Sequence, residues 1–390
     1  MINRNLFLIL LANIVLGAPM PMLIILGSLV GAHLAPVNSL ITVPISAQLL
    51  AGIAVATPLS LFMGYAGRRV GFLVAGLLTI VGGLMAVVAL KSASFWLLCV
   101  AHFVMGSALV GVNYLRFAAS EVVSEKAKPN AISFTLASGI VAALFGPSLF
   151  EFSKDWLYPL PFAGAYATIA LLGLLGMIPV LMLSLPKITA GKVDTGLDKR
   201  AIMLHLVSRP EIRLAVVIAA VAQGIMVLMM VPTPQAMVEH GFHHGHAADV
   251  IRWHVVAMFA PGLVTGLLIN RLGLINIICT GLVLLLAAGV AGALETSLVG
   301  FYIALILLGV GWNFAFIGST HLLQKSASEV ERSAIQGIND TTIAIASVGA
   351  SVLSGVLFVG VGWVASSSII VPIILMVLLW LFFELRKIRK

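Results

Sequence analysis

The chain has 390 residues, 61% of them hydrophobic and 9% charged, with a mean hydropathy of +1.14. A soluble domain carries roughly a quarter charged residues, so this composition excludes a soluble enzyme or binding module and indicates an integral, multi-pass membrane protein. The formal charge of +8 is dispersed over short gaps between apolar runs, which is a topology signal and not a nucleic-acid face.

The N-terminus, with Arg4 in its polar start, runs directly into an apolar stretch. That stretch is longer than the ~7–15 residues of a signal-peptide core and reads as the first span. Runs of about 20 mostly apolar residues predict twelve membrane helices, at 6–32, 40–65, 70–92, 94–119, 128–153, 162–185, 212–238, 247–269, 274–294, 298–321, 334–359 and 367–385. The expected fold is all-α. The charged gap from Pro186 to Pro210 divides it into an N-terminal six-helix bundle (1–185), a cytoplasmic linker (186–210) and a C-terminal six-helix bundle (211–390). With a cytoplasmic N-terminus, the cytoplasmic segments hold Arg4, Arg68, Arg69, Lys126, Lys128, the linker cluster, Arg271, Lys325, Arg332 and the basic tail. The opposite side holds Lys91, Lys154 and Arg252. The positive-inside rule therefore places both termini and the linker in the cytoplasm, and the turn around His240–His246 outside. Cys99 and Cys279 lie in separate apolar segments and read as small buried hydrophobes.

The halves are weakly repeated. Gly64-Tyr-Ala-Gly-Arg68-Arg69-Val-Gly71 after the second span matches Gly266-Leu-Leu-Ile-Asn270-Arg271-Leu-Gly273 after the eighth, and Asn130-Ala-Ile132 matches Ser333-Ala-Ile335. Asn113 in the fourth span has a polar counterpart near Asn313 in the tenth. Twelve spans in two sixes with these Gly-rich basic turns resemble the major facilitator superfamily. The second turn is similar to its G-x-L-x-D-R-x-G signature, with Asn270 in the acidic position; the first has Arg68 there. The resemblance implies a two-bundle transporter working by alternating access.

No hydrolase, nucleotide-loop or dinucleotide motif is present, and the acidic residues lie almost entirely in loops and at span ends. The expectation is therefore a transporter and not an enzyme. The pattern that invites chemistry spans the seventh and eighth helices. Met226 and Met230 are four apart, as are His254 and Met258, so each pair shares a helix face. Thioether and imidazole ligands suit Cu(I) better than harder cations. Each pair is equally what helix packing produces, because Met is an adaptable apolar filler.

The Met226-x3-Met230 and His254-x3-Met258 pairs resemble the paired motifs of the CcoA-like copper importers. So do Gly17-Ala-Pro-Met-Pro-Met22, Tyr114-Leu-Arg116-Phe-Ala, Pro232-Thr-Pro-Gln-Ala-Met237 and Gln336-Gly-Ile-Asn-Asp340. That resemblance implies copper import across a bacterial inner membrane for assembly of a cbb3-type oxidase, with copper as cargo and no resident cofactor. It implies Met226, Met230, His254 and Met258 as ligands, a cytoplasmic copper acceptor as partner, and a monomer in the lipid bilayer. A related branch is associated with riboflavin uptake. Accessory ligand candidates are Met20, Met22, His102, Met229, His240, His243, His244 and His246. Candidates for conformational control are Arg68, Arg69, Arg116, Asn270, Arg271 and Asp340, with Asp340 expected to cap the eleventh helix or to pair with Arg68 or Arg69. The rival readings are uptake of an organic solute such as a flavin, with the methionines as an apolar wall; a proton-coupled exporter, faintly suggested by Gly146-Pro147; and a non-transporting receptor.

Overall fold

The computed structural model describes residues 3–124, 127–185, 209–326 and 332–388; the linker expected at 186–210 lies almost wholly outside the described residues. Among the described residues there is no strand. This is the expected solution in lipid, where a helix satisfies its own backbone hydrogen bonds.

The first span is a broken helix, α1 (Arg4–Gly17) followed by α2 (Pro19–Leu34). Asn3 caps α1 by accepting the Leu6 N–H at 2.8 Å, and Pro19 starts α2 at a position where no N–H is needed. A 3₁₀ turn at Asn38–Leu40 leads into α3 (Val43–Ala66), then α4 (Arg68–Lys91), α5 (Phe95–Asn113), the short α6 (Leu115–Glu121), α7 (Lys128–Ser153) and α8 (Ala163–Leu181). The second half comprises α9 (Pro210–Met230), α10 (Thr233–Glu239), α11 (His244–Phe259), α12 (Gly262–Leu272), α13 (Leu274–Leu294), α14 (Leu298–Ser326), α15 (Arg332–Ser368) and α16 (Ile370–Ile388). Ten continuous segments are long and apolar enough to cross a membrane. The pair α11 and α12 forms an eleventh, bent by 43°. The twelfth is α16, whose last turns carry Glu384, Arg386 and Lys387. Twelve transmembrane helices in two sets of six are thus present as expected.

The described residues divide into two compact units. One takes in Met1–Gly191 and Val231–Val256, the other Lys192–Met230 and Ala257–Lys390. Within the first unit, α4 packs against α5 and α8, α3 against α5, α1 against α7 and α8, and α10 against α2. Close approach depends on small residues: a Cβ at Gly106 of α5 would lie 2.3 Å from the Gln48 carbonyl of α3. Leu6, Ile9, Phe72, Leu115 and Ala118 form a shared core there. Within the second unit, α9 packs on α14 and α15, and α13 on α14, α15 and α16. Arg213 of α9 donates to Glu384 of α16 at 2.8 Å, tying the ends of those helices together.

At the turns after the second and eighth spans, the backbone conformation repeats at a different offset from the sequence match. Gly67 (φ 90°, ψ 151°) and Gly273 (φ 91°, ψ 146°) precede α4 and α14's neighbour α13 in the same left-handed conformation. Only glycine adopts it cheaply. The turn Asn270-Arg271-Leu272-Gly273 therefore corresponds to Gly64-Tyr65-Ala66-Gly67, and Arg68 does not stand in the signature's acidic position. Asn113 is exposed whereas Asn313 is buried, so these two are not equivalent either. Backbone conformation overrode the residue-type match that had paired Arg69 with Arg271.

Candidate functional site

The most developed polar and aromatic cluster in the second unit gathers from α9, α11, α12 and α14. On α9, Gln223 lies three and seven residues before Met226 and Met230, which puts all three on one face. Gln223 Oε1 accepts the indole N–H of Trp312 on α14 at 2.8 Å. The Trp312 ring stacks on Phe316, one turn further along α14, with centroids 4.8 Å apart and 20° between planes. Phe259, at the end of α11, meets Trp312 edge-on at 6.3 Å and 77°.

The break that presents Phe259 has a clear local cause. Pro261 carries no N–H and stops the helix, leaving the last carbonyls of α11 without intrahelical donors. Asn313 answers one of them: its Nδ2 donates to the Met258 carbonyl at 2.6 Å. The Thr265 hydroxyl lies 2.7 Å from Asn313 Oδ1 and 2.8 Å from the Pro261 carbonyl, so its one proton serves either acceptor. Two neighbouring residues of α14 thus do different work. Asn313 holds the bent eighth span, and Trp312 carries the aromatic stack.

The four residues singled out as copper ligands are all buried, at 4% for Met226, 7% for Met230, 0% for His254 and 3% for Met258. The compact-unit division falls between Val256 and Ala257, so His254 belongs to the first unit and the three methionines to the second. Met229 packs into the notch at Gly292 on α13, where a Cβ would lie 2.5 Å from its methyl. Met22 is fully buried and Met20 is 36% exposed, so the two do not share one platform. His102 is held at both nitrogens, 3.3 Å from Gln48 Oε1 and 2.8 Å from the Tyr166 hydroxyl. With both ring nitrogens engaged inside the first unit, it is a structural member of the α3–α5–α8 core.

In the turn around His240–His246, His240 Nδ1 lies 2.7 Å from the Ala236 carbonyl and closes the end of α10. His243 and His246 have ring centroids 5.9 Å apart, and His244 packs edge-on against Phe162 at 5.2 Å. Among the described residues, no three His, Cys, Asp or Glu side chains form a metal-binding group. Arg252 links Asp249 with Ser148 of α7, which ties α11 to the first unit.

Among the residues expected to control conformation, Arg68 pairs with Glu121 at 2.5 Å and Arg69 donates to the Leu181 carbonyl. Asp340 accepts from Gln336 and Asn339 at 2.7 and 3.3 Å. It lies well inside α15, which begins at Arg332, so it is not that helix's cap. Its near neighbours on its own helix satisfy it instead. Arg116 is exposed and lies over the Phe117 ring at 4.9 Å. Asn270 and Arg271 are exposed in the last turn of α12, where a positive charge suits the helix C-terminus.

The sequence reading passed over Gln223, Trp312 and Asn313 as site residues. Polar side chains inside apolar spans are the signal that could have flagged them. Their partners, 89, 55 and 48 residues away, were not legible.

The chain matches the Major Facilitator Superfamily over residues 6–351. It is 34% identical over 388 residues to the riboflavin transporter RfnT of Brucella anthropi, covering 98% of this chain and 96% of that one. It is 29% identical over 384 residues to the uncharacterized MFS-type transporter YdeG of Bacillus subtilis, covering 94% and 88%. Among solved structures it resembles a mutant of the nucleoside transporter NupG, with a TM-score of 0.79, 15% identity and coverage of 98% and 100%. It also resembles the xylose transporter XylE from E. coli, with a TM-score of 0.72, 13% identity and coverage of 97% and 98%. The two-times-six helical architecture, the glycine-capped turns and these matches together establish that the chain belongs to the Major Facilitator Superfamily of membrane transporters.

Proposed function

We propose that this transporter imports a neutral organic solute of the flavin class across the bacterial inner membrane. The observation that carries this reading is the 34% identity, sustained over 98% of the chain, to a protein named as a riboflavin transporter. The chemistry of the spans agrees with it. Gln223 and Trp312, half-buried on α9 and α14, carry uncharged hydrogen-bonding groups, as suits a solute that hydrogen-bonds without carrying charge. On this reading Met226, Met230 and Met258 supply adaptable apolar wall.

Copper is the second reading, favoured by the paired spacing of Met226 with Met230 and of His254 with Met258, all four buried. One experiment separates the two. The protein is reconstituted in liposomes, and uptake of labelled riboflavin and labelled copper is measured side by side, with Met226→Ala and His254→Ala as variants. The flavin reading expects saturable riboflavin uptake that added copper does not change. Copper accumulation that both substitutions abolish, without riboflavin uptake, would replace it with the metal reading.

A further inference from the structure

We propose that Trp312, Phe316 and Phe259, oriented by Gln223, form the seat for the planar ring of the transported solute. This inference rests on the flavin-class reading and names the part of the molecule that does the recognising.

Three observations converge on these residues. The first is burial. The aromatic side chains that fill the cores, Phe72, Phe150, Tyr166 and Phe301, are at most 1% exposed. Trp312, Phe316 and Phe259 are only half-buried, so part of the stack stays open. The second is direction. The exposed apolar stripe of α14 runs through Val299, Ile303 and Ile306. At 100° per residue, Trp312 and Phe316 sit about a third of a turn away from it, so their open surface is not the lipid-facing side of that helix. The third is polarity. The indole N–H is fixed by Gln223 Oε1, and this bond leaves the amide NH₂ of Gln223 as a donor beside the rings.

A fused heteroaromatic ring edged with carbonyl acceptors complements each of these features. Its face extends the Trp312–Phe316 stack in the offset geometry that aromatic rings prefer, and a ring carbonyl receives the Gln223 amide. Because Trp312 is already held by a hydrogen bond and by Phe316, little side-chain freedom remains to be lost on binding. An isoalloxazine has this shape and acceptor pattern; a sugar has neither.

The test is a titration of riboflavin fluorescence against the full-length protein in lipid nanodiscs. Stacking on an indole quenches flavin emission, so wild-type protein is expected to bind with strong quenching. Lumiflavin, which keeps the ring and lacks the ribityl chain, is expected to compete, and ribitol is not. Trp312→Ala and Phe316→Ala are each expected to weaken binding by roughly tenfold or more, the scale of losing one base-stacking partner. Trp312→Phe preserves a ring and tests the seat if the alanine variant does not fold; it is expected to bind with much reduced quenching. Wild-type binding and uptake with unchanged affinity in both alanine variants, or wild-type quenching in Trp312→Phe, would overturn the seat and leave the flavin reading standing. A wild-type protein that neither binds nor moves riboflavin would overturn the flavin reading and the seat together.

Discussion

Asn313 shows how one side chain can decide the shape of a span. A proline alone breaks the eighth helix, but a break in the membrane leaves carbonyl groups that water cannot reach. Asn313 supplies the donor that makes the break tolerable at Met258. Truncation by Asn313→Ala removes that donor and leaves Thr265 with only the Pro261 acceptor. An unsatisfied buried acceptor costs about 1–3 kcal/mol, and a lowered unfolding temperature in detergent is the expected result. Asn113, which the sequence repeat treats as its counterpart, is exposed. The Asn113→Ala change is expected to stay within about 0.5 kcal/mol of wild type. Equal effects in the two variants would contradict this assignment. His102 illustrates the same rule in the first unit: its imidazole looks like a ligand in the sequence, yet the fold uses both nitrogens to join α3, α5 and α8.

At the scale of elements, the turns after the second and eighth spans depend on one glycine each. Gly67 and Gly273 hold φ near +90° with no crowding within normal contact distance, so the cost of a side chain there is conformational. Strain of this kind amounts to about 1–3 kcal/mol. Gly273→Ala is expected to lower stability by that amount in a thermal or denaturant unfolding series. Gly266, seven residues earlier in the same motif, is helical with open space around its Cβ position. Gly266→Ala is expected to leave stability unchanged or slightly raised, by up to about 1 kcal/mol from helix propensity. The motif's letters give both glycines equal weight; the backbone separates them. The breaks at Pro19 and Pro261 follow the same logic, since both prolines were visible and only the fold shows what compensates for Pro261.

For the whole molecule, the distribution of Arg and Lys argues that both termini lie in the cytoplasm. A fluorescent protein that matures only in the cytoplasm, fused after Lys390, is expected to fluoresce, and a periplasm-dependent phosphatase at the same position is expected to be inactive. The reverse pattern would invert the topology and place the histidine-rich turn inside. Ion pairs at the span ends, Arg68 with Glu121 and Arg213 with Glu384, staple helices within each unit. Their charges also add to the polar caps that hold spans in register with the bilayer. The segment Val231–Val256 belongs to the first compact unit although it follows α9 in the chain. Within that unit α10 packs against α2, Arg252 bonds Ser148, and His244 packs on Phe162.

Hydropathy alone determined the class, the helix count and the division into two sixes. Burying about 20 apolar residues per span is a local property of the chain, and no partner has to be known to read it. The spacing of the Met226, Met230, His254 and Met258 pairs is visible in the same way, but their burial was decided by packing, since span residues such as Leu61 and Leu267 stay exposed. The chain could not reveal which polar side chains meet. Trp312 finds Gln223, Asn313 finds Met258, and His102 finds Tyr166 only when helices far apart in sequence pack side by side. Tertiary packing decided that Met229 fills a glycine notch and that an aromatic stack stands in the same unit as the methionine face. In a membrane interior, where a buried polar group must find a partner within the protein, those meetings decide which residues hold the fold and which remain available to a solute.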